Sequence, residues 1–129
     1  MSRDKHEFQF TATAIAGAAA REAEYHRARE EYWRNEYRKA TETVKATASV
    51  EVKTYPVTGG ERADVVVNYG DPSAYKRMTE GFQKAGAHRQ DAERYETEAR
   101  IYGTQGDRVY ELSGTDVHYF RLGGEERPE

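Results

Sequence analysis

The sequence predicts an α+β fold: a long antiparallel helical hairpin with two β-hairpins, in the order (β)-α-β-β-α-β-β. Three observations predict it. Two long stretches carry apolar side chains at helical spacing. Thr58-Gly59-Gly60-Glu61 separates two β-branched runs, and Ser113-Gly114-Thr115 is bracketed by residues 107–112 and 116–122 as a second hairpin.

Taken in order, Glu7-Phe8-Gln9-Phe10-Thr11 reads as a short strand, because Phe8 and Phe10 share a face. A first helix is expected over 12–46, with Gly17 as its one weak point. Strands are expected over 50–57 and 62–69, and in the second of them Ala63, Val65, Val67 and Tyr69 alternate onto one face. Pro56 cannot donate to a ladder, which makes the first of the pair an edge strand. Asp71-Pro72 opens a second helix over 72–102: the Asp side chain accepts from free N–H groups, and Pro fits the first helical position. Gly103 is its expected C-cap. Residues 107–112 and 116–122 complete the second hairpin. One domain is expected over 1–122, and 123–129 reads as a disordered tail.

Composition limits what such a fold can bury. Leu, Ile, Val and Phe supply 17 of 129 residues, below the ~20% at which disorder becomes an issue. Ten Tyr, 17 Ala and a net charge of -3 oppose disorder. The chain is expected to bury aromatic rings and alanine faces, and to finish that burial against a second copy of itself. No run approaches the ~18 apolar residues of a membrane span. The N-terminus lacks the apolar stretch of a secretory signal, so the expectation is a soluble cytoplasmic protein without membrane contact. Zero cysteine excludes disulfides, thiolate catalysis and sulfur-ligated zinc.

Charge disfavours nucleic acid. Residues 21–40 carry six basic and five acidic side chains, and residues 76–100 repeat that balance. Interleaved signs describe a solvated helix face. Glu30 with Arg34, Glu80 with Lys84, Arg94 with Glu98, and Glu96 with Arg100 stand at i,i+4 spacing, each contributing about 0.3 kcal/mol.

The helix faces are more telling. On the first helix Ala12, Ala19, His26, Trp33 and Ala40 recur every seven residues, with Ala16, Ala23, Glu30, Tyr37 and Val44 as the companion row. This is a coiled-coil-like seam, small early and aromatic late. Ala18, Tyr25, Ala28 and Tyr32 form a second stripe. On the second helix Tyr75, Phe82, Arg89 and Glu96 form one row, and Met78, Ala85, Ala92 and Ala99 the next.

Two sets of candidate residues follow. His26, Glu30, Arg89 and Glu96 fall within the expected seams. They are either a polar inter-helix pocket that handles protons or holds a small molecule, or a network that fixes helix register. Register fixing is the preferred reading. The paired Glu-x-x-His motifs of di-iron bundles are absent, since Ala23 stands where His26 would need its Glu, and the other histidines make no metal set by spacing. No metal, cofactor or catalytic residue is expected. The aromatic set Tyr25, Tyr32, Trp33, Tyr37, Tyr75 and Phe82 suits core packing or a protein interface, because a Tyr hydroxyl must reach water or a partner.

Thr58-Gly59-Gly60-Glu61 lacks the lysine and the strand-to-helix setting of a phosphate loop, and no G-x-S-x-G elbow is present. Arg121-Leu122-Gly123-Gly124 resembles the strand-then-GlyGly end of ubiquitin-like modifiers. The resemblance covers four residues, and two long helices depart from that fold; a turn followed by a tail is the preferred reading.

The function expected is a non-enzymatic, self-associating structural or protein-interaction module: a homo-oligomer, with a further protein partner as an option. The first alternative is a small-molecule-binding protein or enzyme using His26, Glu30 and Arg89. The second is nucleic-acid binding through the Arg- and Tyr-rich first helix.

Overall fold

The computed structural model describes residues 8–123. Its order is β1 (Phe8–Thr11), α1 (Ala12–Thr47), β2 (Ser49–Val57), β3 (Gly60–Asn68), α2 (Pro72–Gly103), β4 (Val109–Leu112) and α3 (Gly114–Tyr119). The fold is α+β, with a long helix pair and two antiparallel two-stranded sheets. Among the described residues, contacts cluster into two compact units, one of residues 8–29 with 87–123 and one of 30–86, so each long helix contributes to both.

In the first unit β1 runs straight into α1, and the first three N–H groups of that helix find acceptors outside the helix. Ala12 N–H donates to the Arg108 carbonyl (2.7 Å), Thr13 N–H to the Gly106 carbonyl (3.2 Å), and Ala14 N–H to Thr11 Oγ1 (3.1 Å). β4 lies antiparallel to β1, with Phe8 opposite Leu112 and Thr11 opposite Val109. The helical segments are antiparallel too: Gly103 lies beside Ala16, and His26 meets His88. Ile15, Ala18, Ala19, Ala23, Tyr95, Leu112 and Phe120 make the core, with Phe10, Tyr102 and Val117 packed on it. This is the expected alanine-and-aromatic core. Tyr95 is buried because its hydroxyl finds a partner, donating to the Tyr119 carbonyl at 2.9 Å.

The second hairpin, expected from 107–112 and 116–122, does not form. The partner of β4 is β1, and Gly114–Tyr119 is helical. The reason is a capping box. Ser113 Oγ accepts from Asp116 N–H at 3.2 Å while the Asp116 carboxylate accepts from Ser113 N–H at 3.4 Å. That arrangement starts a helix where alternating side chains suggested a strand. Nor does Gly103 cap α2 from outside: it is the last helical residue, and the turn glycine is Gly106, at φ 60°. Arg121-Leu122-Gly123 is a turn after α3, with Arg121 at φ 53°, so no strand leads into the two glycines. Gly124 and the rest of the expected tail, like Glu7, lie outside the described residues.

In the second unit the segments 30–47 and 72–86 are antiparallel and very close. A Cβ on Gly81 would stand 3.0 Å from Tyr37 N and 3.1 Å from the Trp33 carbonyl oxygen, so a larger residue there would push the backbones apart. Gly70, at φ 87°, makes the corner before α2; a Cβ there would meet Thr47 Oγ1 at 2.6 Å. Asp71 caps α2 as expected, its Oδ1 accepting from Ser73 N–H (2.8 Å) and Ala74 N–H (3.2 Å). β2 and β3 form a ribbon around Thr58-Gly59, with Val50 opposite Val67, Val52 opposite Val65 and Thr54 opposite Ala63. Every residue of both strands is exposed except Asp64. The only buried apolar side chains of this unit are Trp33, Ala40 and Ala85.

Candidate functional site

The polar set is not gathered into one pocket. Arg89 is exposed and stands 3.7 Å from Glu93, and Glu96 takes a two-pronged contact from Arg27, with Nε at 2.9 Å and Nη2 at 2.8 Å. Their row on α2 faces outward, because the smaller row of Ala85 and Ala92 is the one that packs. The seam position expected for Arg89 and Glu96 is therefore corrected. Glu30 is buried and pairs with Arg34 at 3.3 Å, one turn along the same helix. Glu80 with Lys84 also forms (4.0 Å), while Arg94 turns to Asp91 (2.9 Å), and Glu98 accepts from the Tyr119 hydroxyl (2.8 Å).

His26 does sit in a polar cluster, with a neighbour that spacing alone did not supply. Its Nδ1 lies 2.8 Å from Nδ1 of His88 and 3.9 Å from Asp91 Oδ2, and its ring stacks on Tyr95 at 5.7 Å. Tyr25 meets both imidazoles edge-on. A bond between two Nδ1 atoms needs one ring to donate and the other to accept, so the pair holds only while at least one imidazole is neutral. Burial lowers the His26 pKa below the usual imidazole value; Asp91 opposes this, while His88, Arg94 and Arg121 reinforce it. Burial and the Glu98 carboxylate hold the Tyr119 hydroxyl protonated far above the usual phenol range. Among the described residues no three His, Asp or Glu side chains converge as a metal site.

A pH dependence follows. The unfolded chain protonates His26 at the ordinary imidazole value of 6.5, and the folded chain only at lower pH. The part of the stability that rests on a neutral His26 is therefore expected to be fully present above pH 6.5 and to be lost as pH falls below it, towards the depressed value. Urea midpoints at pH 7.5 and pH 5.5 measure this, and His26→Gln should flatten the difference. An equally steep acid loss in His26→Gln would place the titrating group elsewhere.

The aromatic set divides. Trp33 is only 6% exposed and is the core of its unit: the Arg77 guanidinium lies 4.6 Å and the Lys84 ammonium 4.4 Å from its ring centroid. Arg77 is itself fixed by Glu36 (2.8 Å) and Glu80 (2.6 Å), and that hydrogen bond holds the Glu36 carboxyl below its usual range. Trp33 is thus not a surface contact residue, and Tyr25 is half-buried against the histidines. Tyr32, Tyr37, Tyr75 and Phe82 are exposed, Phe82 most of all at 68%. Tyr37 and Phe82 form a ring pair at 6.1 Å, and Tyr69 forms another with Tyr75 at 6.1 Å. Missing from the aromatic set were the ribbon valines, although their alternation was plain in the sequence.

No protein family, curated protein or solved structure matches the chain. Among the described residues no helix is long and apolar enough to cross a membrane.

Proposed function

We propose that the chain is a non-enzymatic module that associates with copies of itself, and that residues 30–86 carry the contact surface. The observation behind this is the separation of core from exposed apolar surface. Apart from Phe8, Ile101 and Val109, every exposed large apolar side chain among the described residues lies in 30–86. That same stretch buries only one large ring, Trp33. A unit with so little core is marginal alone, and burial against a second chain is the direct remedy. The near balance of charge removes a barrier to like meeting like. A ligand site at His26 has less behind it, since His26, Glu30, Arg89 and Glu96 are each taken up by separate protein partners.

Sedimentation of the wild type beside Phe82→Glu tests the proposal. Phe82 is exposed, so the change should leave the fold intact while weakening association at least about tenfold. A wild type that sediments as a monomer at every concentration would end this reading.

A further inference from the structure

The β2–β3 ribbon narrows the proposal to a particular contact. Side chains alternate along a strand, so the register places Val50, Val52, Thr54 and Pro56 on one face with Val67, Val65, Ala63 and Glu61. Glu61, beside the turn, is the only charge on that face. The opposite face carries Glu51, Lys53, Arg62 and Asp64, the last two paired at 3.3 Å. Val50, Val52, Val65 and Val67 are 67%, 63%, 65% and 45% exposed. A two-stranded ribbon is at best marginal in water without something against its apolar side. No described element buries this one.

We infer that the valine face of the ribbon stacks on the same face of a second copy, making a two-layer, four-stranded sandwich across a twofold axis. This rests on the self-association proposed above. Three features select a second copy as the occupant. A face whose one charge lies at its turn end meets its own image without like charges at its centre. β-branched side chains on a twisted ribbon interdigitate well with an identical set, as the two inner faces of a β-sandwich do. The area also comes close to what a dimer needs. Ribbons of nine-residue strands, ~30 Å long and ~10 Å wide, would hide roughly 600 Å² in total when stacked. The Tyr69 and Tyr75 rings, exposed in the same unit, bring this near the ~1,200 Å² at which specific interfaces begin.

The absence of cysteine makes the test clean. Val52→Cys, on the valine face, is expected to cross-link into dimers with a short bismaleimide. Val66→Cys, on the opposite face, is not. In parallel, Val52→Lys with Val65→Lys should weaken association about 100-fold or more, while Val66→Lys leaves it within about threefold. These positions are exposed, so circular dichroism should show the helices unchanged. An oligomer that survives the double lysine variant, and that cross-links as well through residue 66 as through residue 52, would overturn the ribbon contact while leaving self-association standing. A wild type that is monomeric and cross-links through neither position would overturn both.

Discussion

Trp33→Ala is expected to destabilise the protein by about 3–5 kcal/mol, the range for removing a large buried aromatic. The ring is 6% exposed and is the only large apolar side chain buried within residues 30–86. Two cations lie against it, at 4.6 Å and 4.4 Å, and Tyr32 meets it edge-on at 5.1 Å. Alanine would leave a hole that Gly81 and Ala85 are too small to fill, and would free Arg77 and Lys84 from the surface they cover. Trp33→Phe should recover more than half of the loss. Because Trp33 is the only tryptophan, unfolding should be followed by circular dichroism in urea. A loss below about 1 kcal/mol would contradict this core role and return Trp33 to the interface role considered for the aromatic set.

The second large effect is expected at the far end of the chain. Glu22 is 3% exposed, and Arg121 Nε donates to its Oε1 at 3.1 Å. Replacing one member of a buried ion pair leaves the other charge in a poor solvent, commonly costing about 3–5 kcal/mol. Arg121 keeps a side-chain exposure of 23%, which lets water in and places Arg121→Met nearer the lower end, about 2–3 kcal/mol. Adding Glu22→Gln to Arg121→Met should restore at least about 1 kcal/mol, because the buried carboxylate that has lost its Arg121 contact is then neutral. Strictly additive losses would mean that the two side chains do not act as a pair.

Much of the fold was legible because its signals are local. Asp71-Pro72 announces α2 through a cap that a handful of adjacent atoms can form, and Thr58-Gly59 between β-branched runs announces the ribbon. The pairing of β1 with β4 was not legible, since nothing near Phe8 points to Leu112 across almost the whole chain. The capping box at Ser113 and Asp116 was present in the sequence, but the alternation in Asp116-Val117-His118-Tyr119 reads equally well as a strand. Helix formation wins there because it turns Phe120 into the core, against Tyr102 and Tyr119.

The candidate site was legible only in part. A seven-residue spacing identifies a stripe on a helix but not which stripe faces inward. On α2 two rows competed, and the row of small residues prevailed because the helix backbones approach closely, as Gly81 requires. That choice sends Tyr75, Phe82, Arg89 and Glu96 outward together, and makes an exposed aromatic surface of what spacing suggested was a seam. His88 was within reach of sequence reasoning only with the helix register in hand. The corner at Gly70, beside Val44 and Thr47, sets where the helices begin to pair.

On the proposed self-association, one copy of this chain leaves apolar surface that a second copy covers. Light scattering on a sizing column, over a hundredfold range of concentration, tests it most directly. The predicted result is a mass that is a whole multiple of 14.7 kDa, falling towards 14.7 kDa only on dilution. A mass of 14.7 kDa at every concentration would rule out self-association.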